Sequence, residues 1–266
     1  LGITTIDDDS VDKLREYWGS RSSKEIRSGI EDTLDELLDG SDNKTLKVTL
    51  LQRNVLTNQK VKDLTPKNWE DILVEITSEI YKYINTNSSE GQDILNLFFV
   101  AFNKYAGKSD KNQAFTPDHI TNFMCRVTGV DHTKRLFDGT SGSGAFLVQG
   151  MVIELDDVNK QKLTESEKAK KRKKVVKDNI YGIEVEDNAF GLCTTNMLIH
   201  GDGNSNIKKA SLFESEDFIR QANPDIVLMN PPYNGLFKDI PASIRIGSAG
   251  KKGEEQTKGF IFLKYI

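Results

Sequence analysis

The sequence predicts an α/β protein: a helical N-terminal domain over residues 1–110, then a doubly wound, mostly parallel sheet over residues 111–266. Three observations predict it. The first hundred residues carry apolar side chains at helical spacing, with caps and stops. From about Arg135, short apolar runs alternate with helical stretches, as parallel strands joined by crossover helices do. The runs end in an acid, a glycine-rich turn or the string Asn230-Pro231-Pro232-Tyr233, at the edge where open α/β sheets bind ligands.

In chain order, Ser22 and Glu25 have the form of a capping box. Ile26, Ile30, Leu34, Leu37 and Leu38 follow at helical spacing, and Gly40 sits where that helix would stop. Thr65-Pro66 is an N-cap followed by proline at the first helical position. Trp69, Ile72, Leu73, Ile76 and Ile80 then form one expected apolar face. A further helix is expected from about Gln92 to Tyr105, with Leu95, Phe98, Phe99 and Phe102 inward and Gly107 as its stop. There is no internal repeat and no clustered nucleophile, base or metal set before Asn112, so this part is assigned packing and partner contact.

Thr116-Pro117-Asp118 reads as another helix start, directly after Phe115. Leu136-Phe137 is a first strand entering Asp138, and Ile180 to Ile183 a second entering Glu184. Ile207 marks a short third strand, and Ile226 to Met229 a fourth. Helices are expected at about Gly144–Leu155 and Asn188–His200. The chain opens on Leu1 and closes inside the helix-like run 260–266. Both ends look like cuts, so a longer polypeptide and a sheet truncated at its C-terminus are expected.

Composition limits the function classes. Hydrophobic content of 37% and charged content of 29% fit a globular protein, and no apolar run reaches membrane-spanning length. Cys125 and Cys193 lack metal-ligand spacing and read as reduced thiols of a cytoplasmic protein. A net charge of −4 argues against a stand-alone nucleic-acid binder. The charge is uneven, however. Acids dominate from Asp7 to Asp42, and bases dominate from Lys160 to Lys177. The basic run is either a solvated helix face or loop, on a connection away from the site edge, or a patch that faces phosphate.

The chemistry sits at the strand ends. After the apolar fourth run, two prolines cannot continue a ladder and stiffen the backbone. They fix the Asn230 amide and the Pro231 carbonyl as two acceptors, and Tyr233 adds a flat face. Together these suit a planar amine clamped by its ring. The turn Asp138-Gly139-Thr140-Ser141-Gly142-Ser143-Gly144 lets backbone approach a ligand closely, and the helix beyond presents free amides. Its glycine spacing is neither the dinucleotide fingerprint nor a phosphate loop. An acid in the place of Glu184 hydrogen-bonds ribose hydroxyls in such folds. Asp202 is either a plain Asp-Gly turn or an acceptor for an adenine amine.

In this order, Phe-Thr-Pro, glycine turn, acid, acid, Asn-Pro-Pro-Tyr, the chain resembles the adenine-specific (N6) DNA methyltransferases of the gamma order. With its helical N-terminal domain it is most similar to the modification subunit of type I restriction–modification systems. The resemblance implies a Rossmann-like methyltransferase sheet and S-adenosylmethionine as cofactor. It implies that Phe115, Thr116 and Pro117 border the methionine part. Asp138, Thr140, Ser141, Gly142, Ser143 and Gly144 would hold the methionine and ribose region, Glu184 the ribose hydroxyls, and Asp202 the cofactor adenine. Asn230, Pro231, Pro232 and Tyr233 would take a target adenine flipped out of double-stranded DNA. The expected partners are a specificity subunit and a restriction subunit; no metal and no membrane are expected. His119, His132 and His200 read as ordinary surface or loop histidines. Gly139 and Ser141 depart from commoner residues of the family's turn, and both changes are small. Protein glutamine methylation, RNA adenine methylation and a non-catalytic DNA-binding subunit keeping the fold stand as alternatives. A nicotinamide oxidoreductase on the same sheet is disfavoured by the glycine spacing and the prolines.

Overall fold

Local chemistry sets the helix starts. The Ser22 side chain accepts from the Glu25 amide while Glu25 reaches back to the Ser22 amide, and Thr65 and Asn68 do the same. In the computed structural model, residues 11–39, 44–52, 56–81, 116–200, 206–232 and 261–266 are described. Contacts divide the chain into two units, Leu1–Phe99 and Val100–Ile266.

The first unit is helical: α1 (Val11–Gly19), α2 (Ser23–Leu37), α3 (Lys44–Leu51), α4 (Gln59–Lys62) and α5 (Pro66–Glu75), with a π-helical turn at Ile76–Tyr81. Helix α5 packs on α1. Arg15 of α1 bridges Glu70 at 3.0 Å and Asp71 at 2.9 Å, and Leu14, Trp69 and Val74 are buried. Ile72 and Ile76, expected on the apolar face, are exposed. The Glu70–Asp71 pair carries the polar link to α1, and the side chains of α5 that are buried are Trp69 and Val74, not these isoleucines. Gly40 and the expected helix at 92–105 lie outside the described residues.

The second unit contains α6 (Asp118–Val127), β1 (Leu136–Asp138), α7 (Ala145–Lys160), α8 (Glu165–Lys174), β2 (Ile180–Glu184), α9 (Asp187–Ile199), β3 (Asn206–Lys209), α10 (Glu216–Ala222), β4 (Ile226–Val227) and a last helical turn, α11, at residues 261–265. A π-helical turn, Val175–Asn179, continues α8 into β2. The four strands pair in the order β3-β2-β1-β4, all parallel. Leu136 stands opposite Ile180 on one side and Ile226 on the other.

Side chains alternate across this sheet. Phe137 and Ile183 face a cluster with Leu212, Phe213, Ala222, Ile261 and Phe262, covered by α10 and α11. Leu136 faces the opposite way, onto α7. There a Cβ on Gly150 would lie 2.2 Å from Leu136 Cδ2, so that helix–strand approach requires glycine. Leu147, Met151, Phe190 and Met197 are fully buried on α7 and α9. Helices on both faces make the sheet doubly wound, and they leave its C-terminal edge to the loops that follow β1, β2 and β4.

Candidate active site

Asp138 ends β1 and is 1% exposed. Its Oδ1 accepts the Thr140 amide at 2.9 Å. Burial pushes its carboxyl up to about 8, the Thr140 bond opposes that, and the nearby Glu184 charge adds to it. The chain then folds back over β2. The Ser141 amide donates to the Ile183 carbonyl at 2.9 Å, the Ser141 hydroxyl to the Asp138 carbonyl at 3.1 Å, and the Gly144 amide to the Ser141 carbonyl at 2.7 Å.

Gly144 has φ of +85°, and a Cβ there would lie 2.8 Å from Cys193 Sγ. Both the left-handed backbone and the packing of α9 demand glycine at this position. Gly182 is required for a different reason: a Cβ there would lie 2.4 Å from the Ser141 hydroxyl, so the strand must be bare where the turn crosses it.

Glu184 ends β2 and ties the turn to the next loop. One carboxylate oxygen accepts the Gly142 amide at 2.7 Å; the other accepts the Val185 amide at 2.9 Å and the Glu186 amide at 2.8 Å. Burial raises this carboxyl, the three amides pull it back, and the net displacement is upward. Glu186 caps α9 through the Ala189 amide. A carboxylate has about four acceptor positions, so with three amides bound Glu184 keeps capacity for a hydroxyl.

Asn196 was not singled out by the sequence. It is 1% exposed on α9, and its amide nitrogen donates to the Ser143 carbonyl at 2.5 Å. Its only signal was an amide on the same helix as the apolar Phe190, Cys193 and Met197. Gly182 and Cys193 were also missed as partners of the turn.

On the other side of β1, the Leu228 amide donates to the Phe137 carbonyl at 3.0 Å and carries the pairing past β4. This brings Asn230 to the same sheet edge as Asp138. The Asn230 amide nitrogen donates to Thr116 Oγ1 at 3.0 Å, so two segments 114 residues apart meet through their side chains. Thr116 and Pro117 lead into α6, with Pro117 at its N-cap. Pro231 and Pro232 are half-buried. Phe115, Asp202 and Tyr233 lie outside the described residues.

The histidines divide. His119 is exposed, but His200 is buried at the end of α9, its Nδ1 2.9 Å from the Asn196 carbonyl, and burial lowers its pKa. His132 is half-buried, not an ordinary loop residue. Lys171 donates to its Nε2 at 2.8 Å, which leaves Nδ1 to donate to Asp157 at 2.5 Å. Asp131, His132 and Asp157 are close enough to bracket a cation. Both ring nitrogens are already engaged, though, so the group acts as a staple at the sheet's opposite edge.

Residues 92–266 match the family model described as N-6 DNA Methylase. The chain is 30% identical over 193 residues to the type II restriction enzyme and methyltransferase RM.BcgI of Heyndrickxia coagulans, covering 71% of this chain and 29% of that protein. It is 28% identical over 137 residues to the type I restriction enzyme EcoEI methylase subunit of Escherichia coli, covering 49% of this chain and 26% of that one. The chain thus spans less than a third of either relative. A solved chain from a study of complex assembly and conformational transition in the type I R-M system has the same fold, with TM-score 0.52 and 18% identity over 88% of this chain and 45% of that one. Among the described residues no helix is long and apolar enough to cross a membrane.

Proposed function

The chain belongs to the N-6 DNA methylase family, and from that premise we propose that it transfers a methyl group from S-adenosylmethionine to the exocyclic amine of adenine in DNA. The observation that carries the reading is the Asn230–Thr116 bond, beside the Asp138 turn on the neighbouring strand. It joins the expected target-base segment to the expected cofactor segment at one sheet edge.

The residues fit the cofactor. Glu184 keeps acceptor capacity for a ribose hydroxyl, the turn before α7 brings bare backbone to the same place, and Asp138 is a buried acid suited to a cationic neighbour. When bound, S-adenosylmethionine supplies a methyl carbon made electrophilic by its sulfonium. The chain's own work is binding and orientation. Asp138 and the 139–144 turn take the methionine side, with Phe115, Thr116 and Pro117 against it; Glu184 takes the ribose and Asp202 the adenine amine.

The amine of the target adenine is a poor nucleophile, because its lone pair is delocalised into the ring. Asn230 and the Pro231 carbonyl act on that. The bond to Thr116 holds the Asn230 amide at the sheet edge, and in this reading the amide oxygen and the Pro231 carbonyl accept the amine's hydrogens. Two acceptors on the amine's hydrogens favour a pyramidal nitrogen whose lone pair points at the methyl, which is orientation plus electrostatic preorganisation. Tyr233 stacks on the flipped base, worth about 1–3 kcal/mol. In the cell we place the protein in the cytoplasm as the modification subunit of a restriction–modification system, with a specificity subunit and a restriction subunit as partners.

The test is tritium transfer to duplex DNA by the complete polypeptide with its specificity partner, alongside cofactor affinity. Asn230→Ala should lose about 10²–10³-fold in turnover and keep cofactor binding. Full activity in that variant would end the mechanism.

A further inference from the structure

Helix α8 takes no part in the site above, and its charges sort by side. Lys168 lies 3.6 Å from Glu165, Lys171 donates to His132 at 2.8 Å, and Arg172 donates to Asn159 at 2.9 Å. These bases turn toward the protein. Lys170, Lys173, Lys174 and Lys177 are all exposed, and none pairs with an acid among the described residues. Their spacing, with steps of three and four, sets them along one ridge of the helix and its continuation.

Apolar packing does not account for α8, because none of its side chains is buried. It is held by polar devices. Thr164 and Glu167 form a capping box at its start, the Asp157–His132–Lys171 chain clamps its middle, and Val175 and Asn179 bury the turn that follows. Like charges three and four residues apart on a helix repel one another. The protein therefore holds uncompensated cations in register on a rigid rod, in a chain whose net charge is −4.

We propose that this ridge binds the phosphate backbone of duplex DNA outside the target base. A ridge of lysines rising about 5.4 Å per helical turn suits a linear polyanion, and the proposal rests on the DNA-methylating function set out above. Its position decides which phosphates it meets. Helix α8 leads into the start of β2, and His132 lies before β1, so the ridge sits at the N-terminal edge of the sheet. Asp138 and Asn230 sit at the other edge, about 16 Å away along a five-residue strand. The ridge therefore meets flanking duplex rather than the base pair being opened.

The experiment compares the complete wild-type polypeptide and its partner subunits with Lys170→Gln/Lys173→Gln/Lys174→Gln/Lys177→Gln, since glutamine keeps the helix propensity and removes charge. Duplexes of two lengths are used, one just spanning the target site and one extended on both flanks. The wild type should gain affinity with the extension. The quadruple variant should lose that gain, bind long target and non-target duplex about 10- to 100-fold more weakly at low salt, and show a slope of log K against log salt reduced by about 2–4. S-adenosylhomocysteine affinity and methyl transfer to the short duplex should be unchanged. Equal slopes and affinities on long duplex would overturn the ridge as a DNA contact while wild-type methylation continued. Loss of subunit assembly with an unaltered slope would overturn it in favour of an acidic protein surface. Absence of methyl transfer in the wild type would instead strike the function from which the proposal starts.

Discussion

Asp138→Asn should make the protein more stable and worse at holding its cofactor. The carboxyl is 1% exposed and pushed up to about 8 from 3.8, burial being the main cause. The sign follows from linkage. A folded pKa above the unfolded one means the acid destabilises nothing below the unfolded value, and stability is lost progressively as pH rises from the unfolded value through the folded one. At about 1.4 kcal/mol per unit, the displacement is worth about 4 kcal/mol at pH 7. Asparagine keeps an acceptor for the Thr140 amide but buries an NH2 group, at a cost of about 1–3 kcal/mol. The net gain is then about 1–3 kcal/mol, or roughly 3–10 °C in Tm for a unit of this size. Melting curves from pH 4 to pH 9 should show the variant's advantage growing to about pH 8, closing as the solution is acidified and reversing near pH 4, where only the cost of the buried NH2 group remains. Affinity for S-adenosylhomocysteine should fall, because its ammonium loses a carboxyl that can ionise beside it. Glu154→Gln is the control. Glu154 is fully buried, also pushed up to about 8, and lies by Asn179 at the far edge, so that variant should gain stability with unchanged affinity. An Asp138→Asn protein that melts lower than wild type at pH 8, or a gap that does not close in acid, would refute the reasoning.

Glu184→Gln should weaken cofactor binding by about 1–3 kcal/mol, read by calorimetry, because the amide offers one acceptor oxygen to the Gly142, Val185 and Glu186 amides instead of two. Asn196→Asp keeps shape but, once ionised, removes the donor to the Ser143 carbonyl; cofactor affinity should drop at neutral pH and recover as the solution is acidified. Gly144→Ala should cost more than about 2 kcal/mol in denaturant unfolding, and Cys193→Ala should restore only part of it, since the φ of +85° remains. Replacing Tyr233 by Ala should lower flipped-base occupancy and turnover together, while Phe or Trp should retain part of both in fluorescence and transfer assays.

Much of this was legible because it is local. The Ser22 and Thr65 caps need only four residues of sequence each, and both form. The strands around Phe137 and Ile183 were legible because runs buried on both faces have few other readings. What was not legible depends on the far side of a contact. Asn196 answers a carbonyl 53 residues away, and nothing near it in sequence marks that. The basic run was visible as composition, but which lysines turn inward depends on His132, Asn159 and Glu165 being placed by the fold. Ile72 and Ile76 satisfied the helical period, yet period says which side chains share a face and not whether another element covers it. In the site, the glycine turn and Glu184 were readable as types at strand ends; that Glu184 receives the Gly142 amide was not, because it takes two strands in register to bring them together.

The pairing of β1 with both β2 and β4 has a consequence for how the chain comes to fold. Leu136 meets Ile180 after a short excursion through α7 and α8, but it meets Ile226 only after ninety residues have passed. Loop closure makes the later pairing slower. During synthesis the turn, Glu184 and α9 can assemble while one flank of β1 still has unmet amides and carbonyls, the kind of edge on which nascent chains aggregate. Seating β4 closes that edge and, in the same event, brings Asn230 to Thr116. The step that covers this flank of β1 is thus also the step that joins Asn230 to Thr116, so a polypeptide caught before it would be expected to lack both for one shared cause.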